Sequence, residues 1–131
     1  MYKIPRKDEV GEAVLEVLRD YKEVASQAIL HSLVLDKLRK ENQFFKISPE
    51  RVRKVAADLE GVKIFVEKRK SSREAKKCFI CGEKMVWVEG RSLLGESTKT
   101  GKRCPRCGFR IDRPGLEPRR YVFYLRQHVR N

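Results

Sequence analysis

Cys78-Phe79-Ile80-Cys81-Gly82 and Cys104-Pro105-Arg106-Cys107-Gly108 are two CxxCG knuckles, with 22 residues between Cys81 and Cys104, and they use every cysteine in the chain. Each knuckle holds two sulfurs on one side of a tight turn, and two such pairs supply the four thiolates of a tetrahedral metal site. The glycine after each second cysteine takes positive φ at little cost, which lets backbone N–H groups turn towards the sulfurs and stabilise their charge. A chain with this spacing must fold so that residues 78–81 and 104–107 converge on one point.

Four cysteines close the coordination shell, whereas a catalytic zinc keeps a position open for water, and His31 and His128 are remote from the knuckles in sequence. The expected cofactor is therefore one structural zinc ion. Residues 71–131 contain a single Trp and few aliphatics, so metal binding worth roughly 10 kcal/mol would supply folding energy that a thin core cannot. Iron is the alternative metal, because rubredoxins hold it in similar knuckles. A disulfide framework fits less well with an N-terminus that lacks a signal-peptide core.

Between the knuckles, residues 85–88 read as a strand and 90–101 as a loop, and residues 109–111 offer a further short strand. This is the layout of a zinc ribbon, assigned to residues 71–116.

The first half has helical periodicity. Val10, Val14, Val17, Leu18 and Tyr21 form one stripe of a helix over 8–21, and a denser apolar helix is expected over 24–41. Phe44, Phe45 and Ile47 suit a brief strand. Ser48 and Pro49 then supply an N-cap and a first-turn proline for a third helix ending at Gly61. Residues 62–68 alternate as a strand, and 68–77 read as a mobile, solvated basic turn. Helix, helix, short strand, helix, strand and basic turn is the order of a winged helix-turn-helix over residues 1–70.

A wing requires a second strand, and none precedes the cysteines. Tyr121 to Leu125 is the candidate, which places the ribbon at the tip of the wing; Tyr121, Tyr124, Leu125 and His128 also match helical spacing, so 117–131 is assigned as a strand or helix that pairs back on the wing. The fold class is α+β: a winged helix-turn-helix followed by, or enclosing, a four-cysteine zinc ribbon.

Lys and Arg number 31 against 18 acidic residues in 131, a formal net charge of +13, with +4 in residues 1–70 and +9 in 71–131. Four thiolates and a divalent ion leave +11. A field of that sign attracts polyanions, and double-stranded DNA is the expected partner. Arg51, Arg53 and Lys54 on the third helix are candidate groove contacts. Lys68, Arg69, Lys70, Arg73, Lys76 and Lys77 in the turn, with Arg103 and Arg106 beside the second knuckle, are candidate phosphate contacts. Arg119, Arg120, Arg126 and Arg130 interleave with Tyr121, Phe123 and Tyr124, as suits either a nucleic-acid surface or a two-faced strand. Hydrophobic residues make up 40% and charged residues 37%, with no apolar run of membrane-spanning length, so a cytoplasmic protein without membrane contact is expected. No P-loop, GxGxxG, HExxH or Ser/His/Asp arrangement is present, and no enzymatic activity is expected.

With the helices, the Ser48-Pro49 start and both knuckles in view, the chain resembles small archaeal winged-helix proteins with a rubredoxin-like zinc ribbon, regarded as transcription regulators. It also looks like a shortened relative of archaeal general transcription factors that pair these two modules. The resemblance implies DNA binding or contact with the transcription machinery, and it carries over Cys78, Cys81, Cys104 and Cys107. An adaptor that docks on protein or RNA of the transcription or translation machinery is the runner-up, a small iron electron carrier the third reading, and a homodimer is compatible with each.

Overall fold

The element order is α1 (Lys7–Tyr21), β1 (Glu23–Val24), α2 (Gln27–Glu41), α3 (Pro49–Asp58), β2 (Val62–Lys70), β3 (Val86–Arg91), β4 (Ser97–Arg103), β5 (Arg110–Ile111) and β6 (Leu116–Leu125). The structure, a computed structural model, describes residues 2–91, 93, 95 and 97–126. His128 and Arg130 lie outside the described residues, as does the end of the segment assigned to 117–131. The strands form two three-stranded sheets, ordered β1-β6-β2 and β3-β4-β5. The fold is mixed α+β. Among the described residues, no helix is long and apolar enough to cross a membrane.

The chain divides into two compact units: residues 1–66 with 120–131, and residues 67–119. It leaves the first along β2 and returns to it along β6. Arg126 N–H donates to Gly61 O (2.6 Å) at one end of this strand pair and Ser71 N–H to Gly115 O (2.9 Å) at the other, so the strands are antiparallel. Tyr121 to Leu125 is therefore strand, not helix, and lies beside β2 in the sheet.

In the first unit, Val10, Val14, Val17 and Leu18 of α1 meet Leu30, Val34 and Leu38 of α2 and Val52, Val55 and Ala56 of α3, with the fully buried Phe123 of β6 in the same core. Ser26 caps α2 by accepting from Ile29 N–H (3.3 Å), and Ser48 caps α3 by accepting from Arg51 N–H (3.1 Å). His31 Nε2 meets Ile47 O at 2.7 Å and ties α2 to the approach to α3. The helical glycine Gly11 leaves room for Leu59, whose Cδ2 would lie 3.0 Å from a Cβ there.

Several sequence expectations are corrected here. α2 begins at Gln27, not Val24, because buried Val24 pairs with Phe123 and Glu23 with Tyr124 before Ser26 can cap a helix. Its buried side is one stripe rather than most of the circumference, and Ile29 is 55% exposed. Phe45 makes an isolated parallel bridge with Lys3, not a strand.

The second unit contains β3, β4 and β5, with the ends of β2 and β6. The loop expected over 90–101 is mostly strand: β3 runs to Arg91 and β4 starts at Ser97, with a register shift between Val88 and Glu89. Residues 68–77 are not a free turn. Lys68, Arg69 and Lys70 finish β2, Ala75 is buried, and its N–H donates to Pro114 O (2.8 Å).

Candidate metal centre and its basic surroundings

The two knuckles share their backbone hydrogen bonds. Cys78 N–H donates to Glu83 O and Cys104 N–H to Phe109 O, both at 2.7 Å, while Gly82 N–H reaches Cys78 O at 3.1 Å and Gly108 N–H reaches Cys104 O at 3.0 Å. Gly82 and Gly108 both have φ 82°, the left-handed conformation that glycine adopts without a Cβ clash. Ile80 N–H donates to Cys78 Sγ and Cys107 N–H to Cys104 Sγ, each at 3.4 Å.

These turns bring the four Sγ atoms within 4.8 Å of one another, with Cys78–Cys107 at 3.5 Å and Cys81–Cys104 at 3.4 Å. All four are free thiols. A tetrahedron with metal–sulfur bonds of about 2.3 Å has edges of about 3.8 Å, so the cluster is positioned to bind one metal ion. Cys78, Cys81 and Cys104 are buried and Cys107 is exposed. Phe79 and Phe109, one from each knuckle, pack with centroids 5.5 Å apart.

Burial pushes the Cys81 thiol up. It does the same to Cys107, where hydrogen bonds with Cys78 and Cys104 add to the effect. At Cys104 burial also opposes ionisation, but N–H donation from Cys107 and Arg106 outweighs it and brings the thiol down to about 7. A bound cation reverses the cost at Cys81 and Cys107, because a coordinating thiol is deprotonated outright.

The basic residues are spread over both units, with the larger net excess on the second. In the first, Lys7 pairs with Asp58 (3.0 Å), Lys37 with Asp20 (2.9 Å) and Lys54 with Glu50 (3.0 Å), while exposed Lys3, Arg19, Lys22, Lys40, Lys46 and Lys63 have no carboxylate partner among the described residues. In the second, residues 67–119 hold 15 basic and 7 acidic groups, a net +8. Three of those acids are already engaged: Glu67 with Arg119, Glu117 with Arg69, and Glu74 with Lys102. Among the described residues, exposed Lys68, Lys70, Arg73, Lys76, Lys77, Lys84, Arg103, Arg110 and Arg113 have no carboxylate partner.

The residues singled out in the sequence are thus distributed unevenly. Lys68, Lys70, Arg73, Lys76, Lys77, Arg103 and exposed Arg106 lie on the second unit with the cysteines, whereas Arg69 is engaged by Glu117. Of the three expected groove contacts on α3 only Lys54 is exposed, and it is paired to Glu50. Arg53 is half-buried, donating to Gln27 Oε1 (3.1 Å), with its guanidinium 5.1 Å from the Tyr121 ring centroid. Arg51 is half-buried, and its Nη1 is buried without a hydrogen-bond partner. Two of the three expected groove contacts are therefore turned into the protein.

Lys102 went unnoticed in the sequence. It is 5% exposed, donates to Ala75 O (3.0 Å), lies 3.4 Å from Glu74, and has its ammonium 4.6 Å from the centroid of Trp87, the residue opposite it on β3. The only available signal was its place two residues before Cys104.

Compared with protein-family models, curated proteins and solved structures, the chain gives no match.

Proposed function

We propose that this is a zinc-dependent nucleic-acid-binding protein whose second unit grips the phosphate backbone of duplex DNA. The observation that carries this reading is the set of exposed, carboxylate-free cations on the unit that holds the four cysteines. Phosphate neutralisation by such groups releases condensed counterions and drives association. Zinc suits the cluster because a closed tetrathiolate shell is its usual structural site. The ion would be held by Cys78, Cys81, Cys104 and Cys107, and it supplies rigidity rather than chemistry.

The first unit is read as a winged helix, supported by its element order and by the β1-β6-β2 sheet. Its α3 contributes less to binding than its sequence promises, because Arg53 is held internally and Lys54 is paired. Transcription control rests on the resemblance of the chain to archaeal regulators.

The test is metal analysis together with duplex binding by fluorescence anisotropy. The expected result is one zinc per colourless chain and binding that weakens at least tenfold when Lys76 and Lys77 are both changed to Gln. A red, iron-containing protein, or binding indifferent to these substitutions, contradicts the proposal. A second reading, a protein-docking adaptor or homodimer, is favoured by Tyr2 and Ile4, which are 74% and 75% exposed beside half-exposed Phe44. Size measurement and recovery of bound protein partners distinguish it.

A further inference from the structure

A groove of about 590 Å³ in the second unit is lined by Lys68, Val88, Gly101, Lys102, Arg110, Ile111 and Asp112. That volume lies within the range of small-ligand sites. Val88 and Ile111 give it apolar surface. Lys68 and Arg110 bring exposed cations, and neither has a carboxylate partner among the described residues. The Lys68 ammonium sits 5.6 Å from the Phe109 ring centroid.

Asp112 decides what the groove is for. It is exposed, and among the described residues it has no cation partner. A carboxylate weakens a plain phosphate cradle, but it accepts hydrogen bonds from the amino group of a nucleobase, as acidic side chains do from cytosine N4. Apolar surface likewise gains nothing from a duplex, whose base faces are hidden in the stack, and gains from an unstacked base.

We propose that this groove takes one unstacked, amino-bearing nucleobase of a single strand, with the adjoining phosphates on Lys68 and Arg110 and the base edge on Asp112. The inference rests on the nucleic-acid reading above and names a distinct site and strand form. The strand can be DNA or RNA, since nothing in the lining selects a 2′-hydroxyl.

The test uses zinc-loaded full-length protein with dC8, dT8, rC8 and a mixed-sequence duplex, followed by anisotropy and by the fluorescence of Trp87, the single tryptophan. Single-stranded dC8 should bind about tenfold tighter than dT8 and quench Trp87, and rC8 set beside dC8 tells which sugar is preferred. Asp112→Asn should reduce the dC8 preference to about twofold. Lys68→Gln with Arg110→Gln should weaken dC8 at least tenfold, and all variants are checked for unchanged zinc content and circular dichroism. Equal dC8 and dT8 binding, or a preference untouched by Asp112→Asn, overturns the groove assignment while duplex binding still stands. Loss of duplex and single-strand binding alike overturns the wider reading.

Discussion

At the scale of single residues, charge is either used internally or left for a partner, and the distinction is not visible in composition. Lys102 is used internally. Lys102→Met removes the donor from Ala75 O and leaves Glu74 without its cation, so zinc-loaded protein should lose about 1–3 kcal/mol in denaturant unfolding. Arg53 is also internal, and Arg53→Ala should lower stability by roughly 1 kcal/mol through loss of the Gln27 and Tyr121 contacts. If α3 reads bases through Arg53, sequence preference would change instead. The cysteines set the pH dependence. Burial raises Cys81 and Cys107, so both are protonated in the metal-free protein at neutral pH and must release their protons on loading. Protons therefore compete with the metal, and acid favours its loss. With Cys104 at about 7 also taking up a proton below neutrality, two to three released protons correspond to a fall in apparent metal affinity of about a hundredfold or more per pH unit, measurable by competition with a chromophoric chelator. A flat response between pH 7 and 6 would show that those thiols are already ionised.

At the scale of elements, what could be read locally was read and what depends on distant partners was not. α1 and α3 announce themselves through apolar periodicity and the Ser48-Pro49 start, and the knuckles through spacing alone. β6 was inferred because β2 lacked a partner, a topological argument rather than a propensity one. β1 escaped because two residues have no period, and only Phe123 and Tyr124, a hundred positions away, make Glu23 and Val24 a strand. The basic stretch after Lys68 looked like a linker because its order comes from backbone bonds to Pro114 and Gly115. Phe123 of β6 is fully buried in the core that the three helices share, so Phe123→Ala should cost about 3–5 kcal/mol. Urea unfolding followed by helical circular dichroism checks this. The tight approach of β4 and β5 leaves no room for a Cβ at Gly101, which would overlap the Ile111 carbonyl oxygen.

At the scale of the whole molecule, chain order links metal and fold: residues 67–119 interrupt a first unit whose β2 and β6 must pair across them. All three helices belong to that first unit. Removing the metal should therefore leave most of the helical signal in place while limited proteolysis cuts within 67–119. Closing a disordered segment of that length costs a few kcal/mol, so the first unit should also melt at lower temperature. The net charge is +8 on residues 67–119 and +5 on the rest, so the excess is concentrated on the shorter stretch that holds the cysteines. The central claim, that a thiolate-held unit presents unmatched cations to phosphate, is tested most directly by the salt dependence of duplex affinity for zinc-loaded protein. The account predicts a slope of log affinity against log salt of about −4 or steeper, four or more phosphates at about −0.9 each; a slope near zero with binding retained would contradict it.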